Sequence, residues 1–167
     1  YDCQLEISGS PSYEILPKYS LFGGVTRKLP DKWDASLGAR HSEYSATYSN
    51  LYNLGLGRYF SSERLEYTLY LGKAEAASET YTHRLQWSHF YDERSRIGLY
   101  AAAGQETENT GEPGPNQLVS SSVLSLGVAG RHWLPGDRWA LSYEVWRQEQ
   151  GDRYTRWGGA LGIRLQF

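Results

Sequence analysis

The feature that most constrains the fold is a strict alternation of residue types along the last segment of the chain. Over residues 155–167 the odd positions carry mainly large apolar residues, such as Trp157 and Leu161, and the even positions carry small residues together with Arg156 and Arg164. Successive side chains of a β-strand point to opposite faces of the sheet. The segment therefore predicts a strand whose two faces meet two different solvents.

The same period of two recurs along the rest of the chain. One face of each segment is apolar, and the other carries glycine, serine and charged residues. This pattern predicts about ten strands in all. Besides the last segment, the alternation is clear at 33–38, 52–57, 64–71, 81–88, 96–103, 124–131 and 138–145, and two weaker segments lie at 4–10 and 19–27.

Alternation alone does not separate a membrane barrel from a soluble β-sandwich, but the connections do. Short turns alternate with longer polar joins, as in outer-membrane barrels, where the short turns are periplasmic and the longer loops face outward. Both Tyr1 and Phe167 are then expected at the periplasmic end. The predicted short turns are 29–32, 61–63, 92–95 and 135–137, and the predicted longer joins are 42–49, 75–80 and 105–121.

Composition supports this interpretation. The mean hydropathy of −0.61 looks hydrophilic, yet the chain holds 6 Trp, 14 Tyr and 18 Gly, a mixture typical of a barrel with an apolar belt and a polar lumen. The sequence contains no apolar run of about 18 residues, so it predicts no transmembrane helix. We predict an all-β, antiparallel up-and-down transmembrane barrel, forming a single domain over residues 1–167, in a bacterial outer membrane.

Several further expectations follow from the same chain. It begins with Tyr1 and shows no signal peptide, so we expect a processed or truncated chain. Either the first strand pairs with the last or further strands precede Tyr1, because an open sheet edge is costly in hydrocarbon. The single Cys3 predicts neither an internal disulfide nor a metal site, and no motif indicates a cofactor.

Aromatic residues stand where the two membrane interfaces are expected. Tryptophan and tyrosine are enriched at the headgroup level of membrane proteins. We predict an aromatic girdle with Trp33, Trp87 and Trp139 beside the short turns, and Tyr48, Tyr81 and Trp157 near the longer loops.

Charged residues on the predicted inner face form the candidate site. Two interpretations are open: a structural ladder of arginine–carboxylate pairs that fills a narrow barrel, or an electropositive lumen that passes or holds an anion. The predicted lumen-lining residues are Arg40, Arg64, Glu66, Arg84, Arg96, Arg131, Glu144, Arg156 and Arg164.

Histidines offer no clear catalytic centre. His41, His83, His89 and His132 all fall on the lipid side by strand parity, where amphipathic side chains suit the interfaces. Ser88 and His89 are adjacent in sequence and so point to opposite faces, and a triad would have to be assembled across strands. The sequence assigns no catalytic residue and favours a barrel without enzymatic activity.

Short motifs resemble one known family of outer-membrane barrels. The segments SPSY at 10–13, LPKY at 16–19, LGLGRYF at 54–60 and RSRIGL at 94–99 are similar to the YaiO family. The resemblance implies further strands upstream and a loose association with the envelope and with surface-polymer export. The closing segment GIRLQF, with Gly162, Leu165 and Phe167, is similar to the assembly signal that outer-membrane barrels present to the insertion machinery.

Three functional hypotheses remain open at this level. The first is a narrow transport or secretion-associated barrel, or a membrane anchor within an envelope assembly. The alternatives are a lipid-modifying enzyme that uses the outer face and a surface receptor that uses its outer loops. Expected partners are outer-membrane lipid and lipopolysaccharide, the barrel-assembly machinery and export proteins. With a net charge of −2 and scattered basic residues, the sequence does not indicate nucleic-acid binding.

Overall fold

In the part of the chain that the structure describes, ten antiparallel strands form a single sheet, and each strand pairs with its neighbours in chain order. The computed structural model describes residues 1–11, 17–45, 47–75, 79–109, 118–136 and 138–166. The predicted all-β architecture and the number of strands are confirmed. The strands are β1 (Asp2–Gly9), β2 (Tyr19–Lys28), β3 (Trp33–Glu43), β4 (Tyr48–Phe60), β5 (Glu63–Ala74), β6 (Thr80–Phe90), β7 (Arg96–Asn109), β8 (Leu118–Trp133), β9 (Trp139–Gln150) and β10 (Tyr154–Leu165).

Connections fall at the two ends of the sheet. At one end, here the turn end, residues 29–32, 61–62, 91–95 and 134–138 join the strands, and β1 begins and β10 finishes there. At the opposite end, the loop end, lie the strand ends that flank 10–18, 44–47, 75–79, 110–117 and 151–153 in the sequence.

The joins at the loop end are shorter than the sequence predicted. The join predicted at 105–121 was too long, because the ladder between β7 and β8 continues as far as Asn109 opposite Leu118. Likewise, β3 and β4 remain paired as far as Glu43 opposite Tyr48. Polar residues near a loop can still satisfy their backbone groups in a ladder, so polarity alone places the end of a strand too early.

Backbone geometry explains the tight turns. Ser61 adopts a positive φ of 58° in the two-residue connection between β4 and β5, and Gly136 has a φ of 96° in the turn after β8. A single 3-10 turn at Pro30–Lys32 joins β2 to β3. Within the described segments there is no helix long and apolar enough to cross a membrane.

The sheet is polar on its sheltered face and apolar on its exposed face, the reverse of a soluble protein. Among the described residues, only Val123 and Ala140 are buried apolar residues, whereas the buried polar set is larger. That set comprises Ser20, Asp34, Ser42, Thr68, Ser88, Ser95, Gln148 and Gln150. Many large apolar side chains are exposed on the other face, which is explained if lipid covers that face.

The two edge strands are exposed further than the rest. In the described residues β1 and β10 each pair with one neighbour only and not with each other. Leu5 and Leu161 are 73% and 83% exposed, whereas Leu126, in the interior of the sheet, is 52% exposed. Leu5 and Leu161 are more exposed because one side of each residue has no neighbouring strand, whereas strands cover both sides of Leu126. In hydrocarbon both edges must be paired, because each unpaired backbone group costs several kcal/mol.

The assignment of faces can be tested in the middle of β8. We expect Leu126→Arg to lower the free energy of unfolding by about 2–4 kcal/mol, because it places a guanidinium in lipid at mid-membrane. The measurement is a urea titration of the protein folded into phospholipid vesicles.

Ser125→Arg is the matched control, because the neighbouring residue points to the polar face. We expect a clearly smaller loss. Equal losses at Leu126 and Ser125 would show that the faces are assigned wrongly.

Candidate functional site

The nine residues predicted to line the lumen all lie at polar-face positions of the sheet. Residues directly opposite one another in an antiparallel ladder share a face. Arg84 pairs with Ala102, and Arg156 with Gln148. Glu144 pairs with Ala129 on one side. The structure therefore brings these charges onto one surface, where each can be described by its contacts.

Arg64 is the centre of an ion-pair network near the turn end. Its guanidinium donates to both carboxylate oxygens of Asp34, at 2.8 and 3.2 Å, and to Glu66 Oε2 at 2.5 Å. The side chains of Arg64 and Asp34 are only 13% and 8% exposed. Gly57 makes room for the bridge, because a Cβ there would lie 2.7 Å from both Arg64 Nη2 and Asp34 Oδ1.

Arg40 forms a second, more exposed pair. It donates to both oxygens of Glu6, each at 3.1 Å, and to the Ser20 hydroxyl at 3.2 Å. Its guanidinium also lies over the ring of Phe22. Sequence reasoning did not single out Glu6 as a lumen acid, although the parity of the segment 4–10 places it on the polar face.

Arg84 belongs to a chain of contacts through the middle of the face. Its guanidinium lies 4.0 Å from the ring centroid of Tyr100 and donates to Gln86 Oε1 at 3.0 Å. The Tyr100 hydroxyl is hydrogen-bonded to Glu144. A Cβ at Gly127 would overlap the Tyr100 ring, so the glycine makes room for it. On β10, Arg156 lies over the ring of Trp146.

Three arginines gather at the turn end of β7 to β10 without carboxylate pairing. Arg96 lies directly opposite Arg131, and both Arg96 and Arg164 are close enough to Arg131 to repel it. They line a cavity of about 340 Å³ together with polar residues that include Ser88 and Ser142. Like charges directly opposite each other destabilise a sheet.

Little in the described part of the chain neutralises this arginine cluster. The one acid that lines its cavity is Glu144, which is already hydrogen-bonded to Tyr100. Arg131 Nε donates to the backbone carbonyl of Arg94 at 3.1 Å. No ion pair joins any of the three arginines to a described carboxylate. The cluster is therefore an electropositive cavity that can accept an anion.

The turn between β6 and β7 holds the carbonyl that orients Arg131. Asp92 Oδ1 accepts hydrogen bonds from the backbone N–H groups of Arg94, at 2.7 Å, and Ser95, at 2.5 Å. Ser95 is fully buried, and its hydroxyl accepts a bond from the Trp133 N–H at 3.0 Å. Hydrogen bonds from the Ser95 hydroxyl and from these backbone groups hold the pKa of Asp92 below its usual range.

The aromatic girdle residues sit near the two ends of the strands. Trp33, at the start of β3, is half-buried, and Trp87 stacks on His89 near the end of β6. Trp139 opens β9 at the turn end, and Tyr48, Tyr81 and Trp157 lie toward the loop end of β4, β6 and β10. Of the predicted assembly signal, Gly162 and Leu165 lie in β10, and Phe167 falls outside the described residues.

Each histidine contacts polar or aromatic neighbours on the apolar face. His41 Nδ1 is 2.8 Å from Asn50 Oδ1, and His83 Nδ1 is 2.7 Å from the Tyr67 hydroxyl. His89 Nδ1 lies 2.6 Å from Glu63 Oε1. His132 is stacked between Tyr91 and Tyr143 and is hydrogen-bonded to both hydroxyls.

No catalytic arrangement forms around these histidines in the described segments. None of the four hydrogen-bonds a serine or a cysteine there, and Ser88 lies in the arginine-lined cavity on the opposite face from His89. In the same segments no group of three or more histidine, cysteine, aspartate or glutamate side chains has the arrangement of a metal site. The side chains of the acidic residues in the predicted join 105–121, which are Glu106, Glu108 and Glu112, lie outside those that the structure describes.

The buried and the exposed ion pairs predict different losses of stability. We expect Arg64→Gln to lower the free energy of unfolding by about 3–5 kcal/mol, because it leaves the carboxylates of Asp34 and Glu66 without their cation. Arg40→Gln is the control and should cost about 0–1 kcal/mol, because water reaches the Arg40–Glu6 pair. Chemical unfolding in vesicles measures both, and a loss as large for Arg40→Gln would contradict this ranking.

The turn predicts a specific pH dependence. Because the folded pKa of Asp92 is lowered, its contribution to stability is present above the ordinary carboxyl pKa of about 3.9 and is lost as the pH falls through the lowered value. We expect Asp92→Asn to lower Tm at neutral pH, and the difference from the native protein to shrink below about pH 4. Thermal unfolding in detergent measures it.

Asp31→Asn provides the control for this titration. Asp31 lies in the 29–32 turn, and its carboxylate makes no hydrogen bond or ion pair within the described structure. We expect its Tm to follow that of the native protein at every pH. A difference for Asp92→Asn that persists unchanged to low pH would rule out the carboxylate as its source.

Comparison with known proteins finds a family whose model matches this chain. The family model described as the YaiO membrane beta barrel domain matches residues 3–109. That range runs from β1 to the end of β7 and so includes Arg40, Arg64, Arg84 and Arg96. No curated protein and no solved structure matches the chain.

Proposed function

Because the chain belongs to the YaiO membrane beta barrel domain family, it is a β-barrel protein of the bacterial outer membrane, and we propose that it serves there as a narrow transport component for small anions. The observation that carries this proposal is the unequal distribution of countercharges over the polar face. On the β1 to β5 side, Arg40 and Arg64 are each paired with carboxylates. On the β7 to β10 side, Arg96, Arg131 and Arg164 form no ion pair with a described carboxylate, although Glu144 lines the same cavity.

Arginines that are paired with carboxylates stabilise the barrel wall, whereas the arginine cluster is available to bind an anionic ligand. A guanidinium in a bidentate pair has its charge locally cancelled, as in the contact of Arg64 with Asp34. Rings of uncompensated arginine select anions in membrane pores. The proposal therefore assigns the ladder and the anion path, which are alternatives at the level of sequence, to different parts of the same surface.

Lumen width limits the size of the substrate. Barrels of about eight to ten strands have interiors that side chains largely fill. Tyr100, Trp146 and Phe22 all project from polar-face positions and reduce the free space further. A small inorganic or carboxylate anion fits such a space better than a hydrated polymer, so direct polysaccharide passage through these strands is disfavoured.

Ion selectivity provides the test. We expect the protein in a planar bilayer to show a stable conductance, with a reversal potential in a KCl gradient that indicates anion preference. A unit charge about 4 Å from a permeating ion in water is worth about 1 kcal/mol, so Arg96→Gln should lower the chloride-to-potassium permeability ratio about fivefold.

Arg147→Gln is the matched control. Arg147 lies on the apolar face and is paired with Glu149 at 2.6 Å, so its removal should leave selectivity unchanged. A native protein without conductance, or an unchanged ratio in Arg96→Gln, would refute anion transport.

A further inference from the structure

Two arginines occupy the apolar face at the turn end, where strand parity otherwise places lipid-facing residues. Arg27 lies near the end of β2 and Arg58 near the end of β4. Arg27 is directly opposite Ala35, and Arg58 is directly opposite Trp33. Both arginines therefore share the face of the exposed leucines, at the level of the turns.

Each of the two guanidiniums lies against at least one aromatic ring. The Arg58 Cζ atom lies 5.2 Å from the ring centroid of Trp33 and 4.9 Å from that of Phe60. The Arg27 Cζ atom lies 5.5 Å from the ring centroid of Tyr1. A cation held against aromatic faces is attracted by their quadrupoles and keeps its hydrogen-bond donors available at the ring edges.

The other apolar-face arginine and lysine of the described strands differ in having an acidic neighbour. Arg147 contacts Glu149 at 2.6 Å, and Lys73 contacts Glu79 at 3.4 Å. Arg27 and Arg58 form no ion pair with any described carboxylate. The turn end thus presents two guanidiniums whose positive charge is not neutralised within the described protein.

We propose that Arg27 and Arg58, with Trp33 and Phe60, form a binding site for the phosphate group of an anionic glycerophospholipid in the leaflet that meets the turn end. Guanidinium presents a planar fork of donors that matches two phosphate oxygens. Tryptophan and phenylalanine beside it contact the acyl and glycerol region, which is the usual position of an aromatic belt. This site depends on the membrane position of the barrel and not on anion transport.

The experiment measures lipid retention. The protein is reconstituted into bilayer discs of phosphatidylcholine in which about one lipid in five is phosphatidylglycerol, and native mass spectrometry counts the lipids that remain bound. A basic residue near an anionic surface contributes about 1 kcal/mol, so Arg58→Gln should weaken phosphatidylglycerol retention about fivefold, and the double variant with Arg27→Gln should weaken it further.

Two variants separate a built site from a general surface charge. Arg147→Gln removes an apolar-face guanidinium at the loop end, and we expect it to retain phosphatidylglycerol like the native protein. Arg58→Lys keeps the charge but loses the fork, and we expect an intermediate loss. Slower gel migration after heating confirms that each variant is folded before the lipid is counted.

The opposite results would overturn the proposal. Equal losses in Arg58→Gln and Arg147→Gln would show only general charge attraction, and unchanged retention in the double variant would show that no lipid binds there. The last measurement counts the bound lipid after soluble glycerol phosphate is added as a competitor. Displacement of the lipid by millimolar glycerol phosphate would assign the site to free phosphate instead of a membrane lipid.

Discussion

The backbone ladder is the interaction on which the rest of the structure depends. In hydrocarbon there is no water to satisfy an N–H or C=O group, so every strand must find its partners in other strands. Nine consecutive antiparallel pairings meet this requirement for the interior of the sheet. The requirement applies equally to the outer flanks of β1 and β10, where the exposure of Leu161 and Ile163 is greatest among the leucines and isoleucines described.

Once the ladder is in place, register decides which charges meet. Arg64 and Asp34 are thirty positions apart in sequence and become neighbours because β3, β4 and β5 are aligned in register, with Asp34 opposite Gly57 and Gly57 opposite Glu66. The same rule places Arg96 opposite Arg131, where the interaction is repulsive. A ladder with this register stabilises the ion pair and strains the arginine cluster, and an anion in the cavity would relieve that strain.

The guanidinium of an arginine makes different contacts on the two faces of the sheet. A guanidinium on the polar face at Arg64 is satisfied by carboxylates, whereas the guanidinium of Arg58 on the apolar face is flanked by Trp33 and Phe60. Cation–π contacts of exposed groups are worth about 0.5–1 kcal/mol and leave the donors free. The position of Arg58 at the level of the turns fits a boundary residue that reaches from an apolar surface toward phosphate and water.

The sequence by itself determined the strands, their approximate number and the face of each residue, because a period of two needs no knowledge of distant partners. Parity correctly separated Arg64 and Arg96 from Leu65 and Ile97. Even the membership of the barrel family was visible in short motifs such as the segment 54–60. The sequence could not predict the side-chain contacts between strands, because these depend on the register of the strands.

Only the tertiary structure decided which arginines are paired. From sequence, Arg40 and Arg96 are equivalent inner-face cations, yet register gives Arg40 the carboxylate of Glu6 and gives Arg96 another arginine. Likewise, only the ladder places Arg58 opposite Trp33. Alternation is a local property of one strand, whereas a countercharge or a ring contributed by another strand is a property of how strands align, and a shift of register by two residues would preserve every face and change every pair.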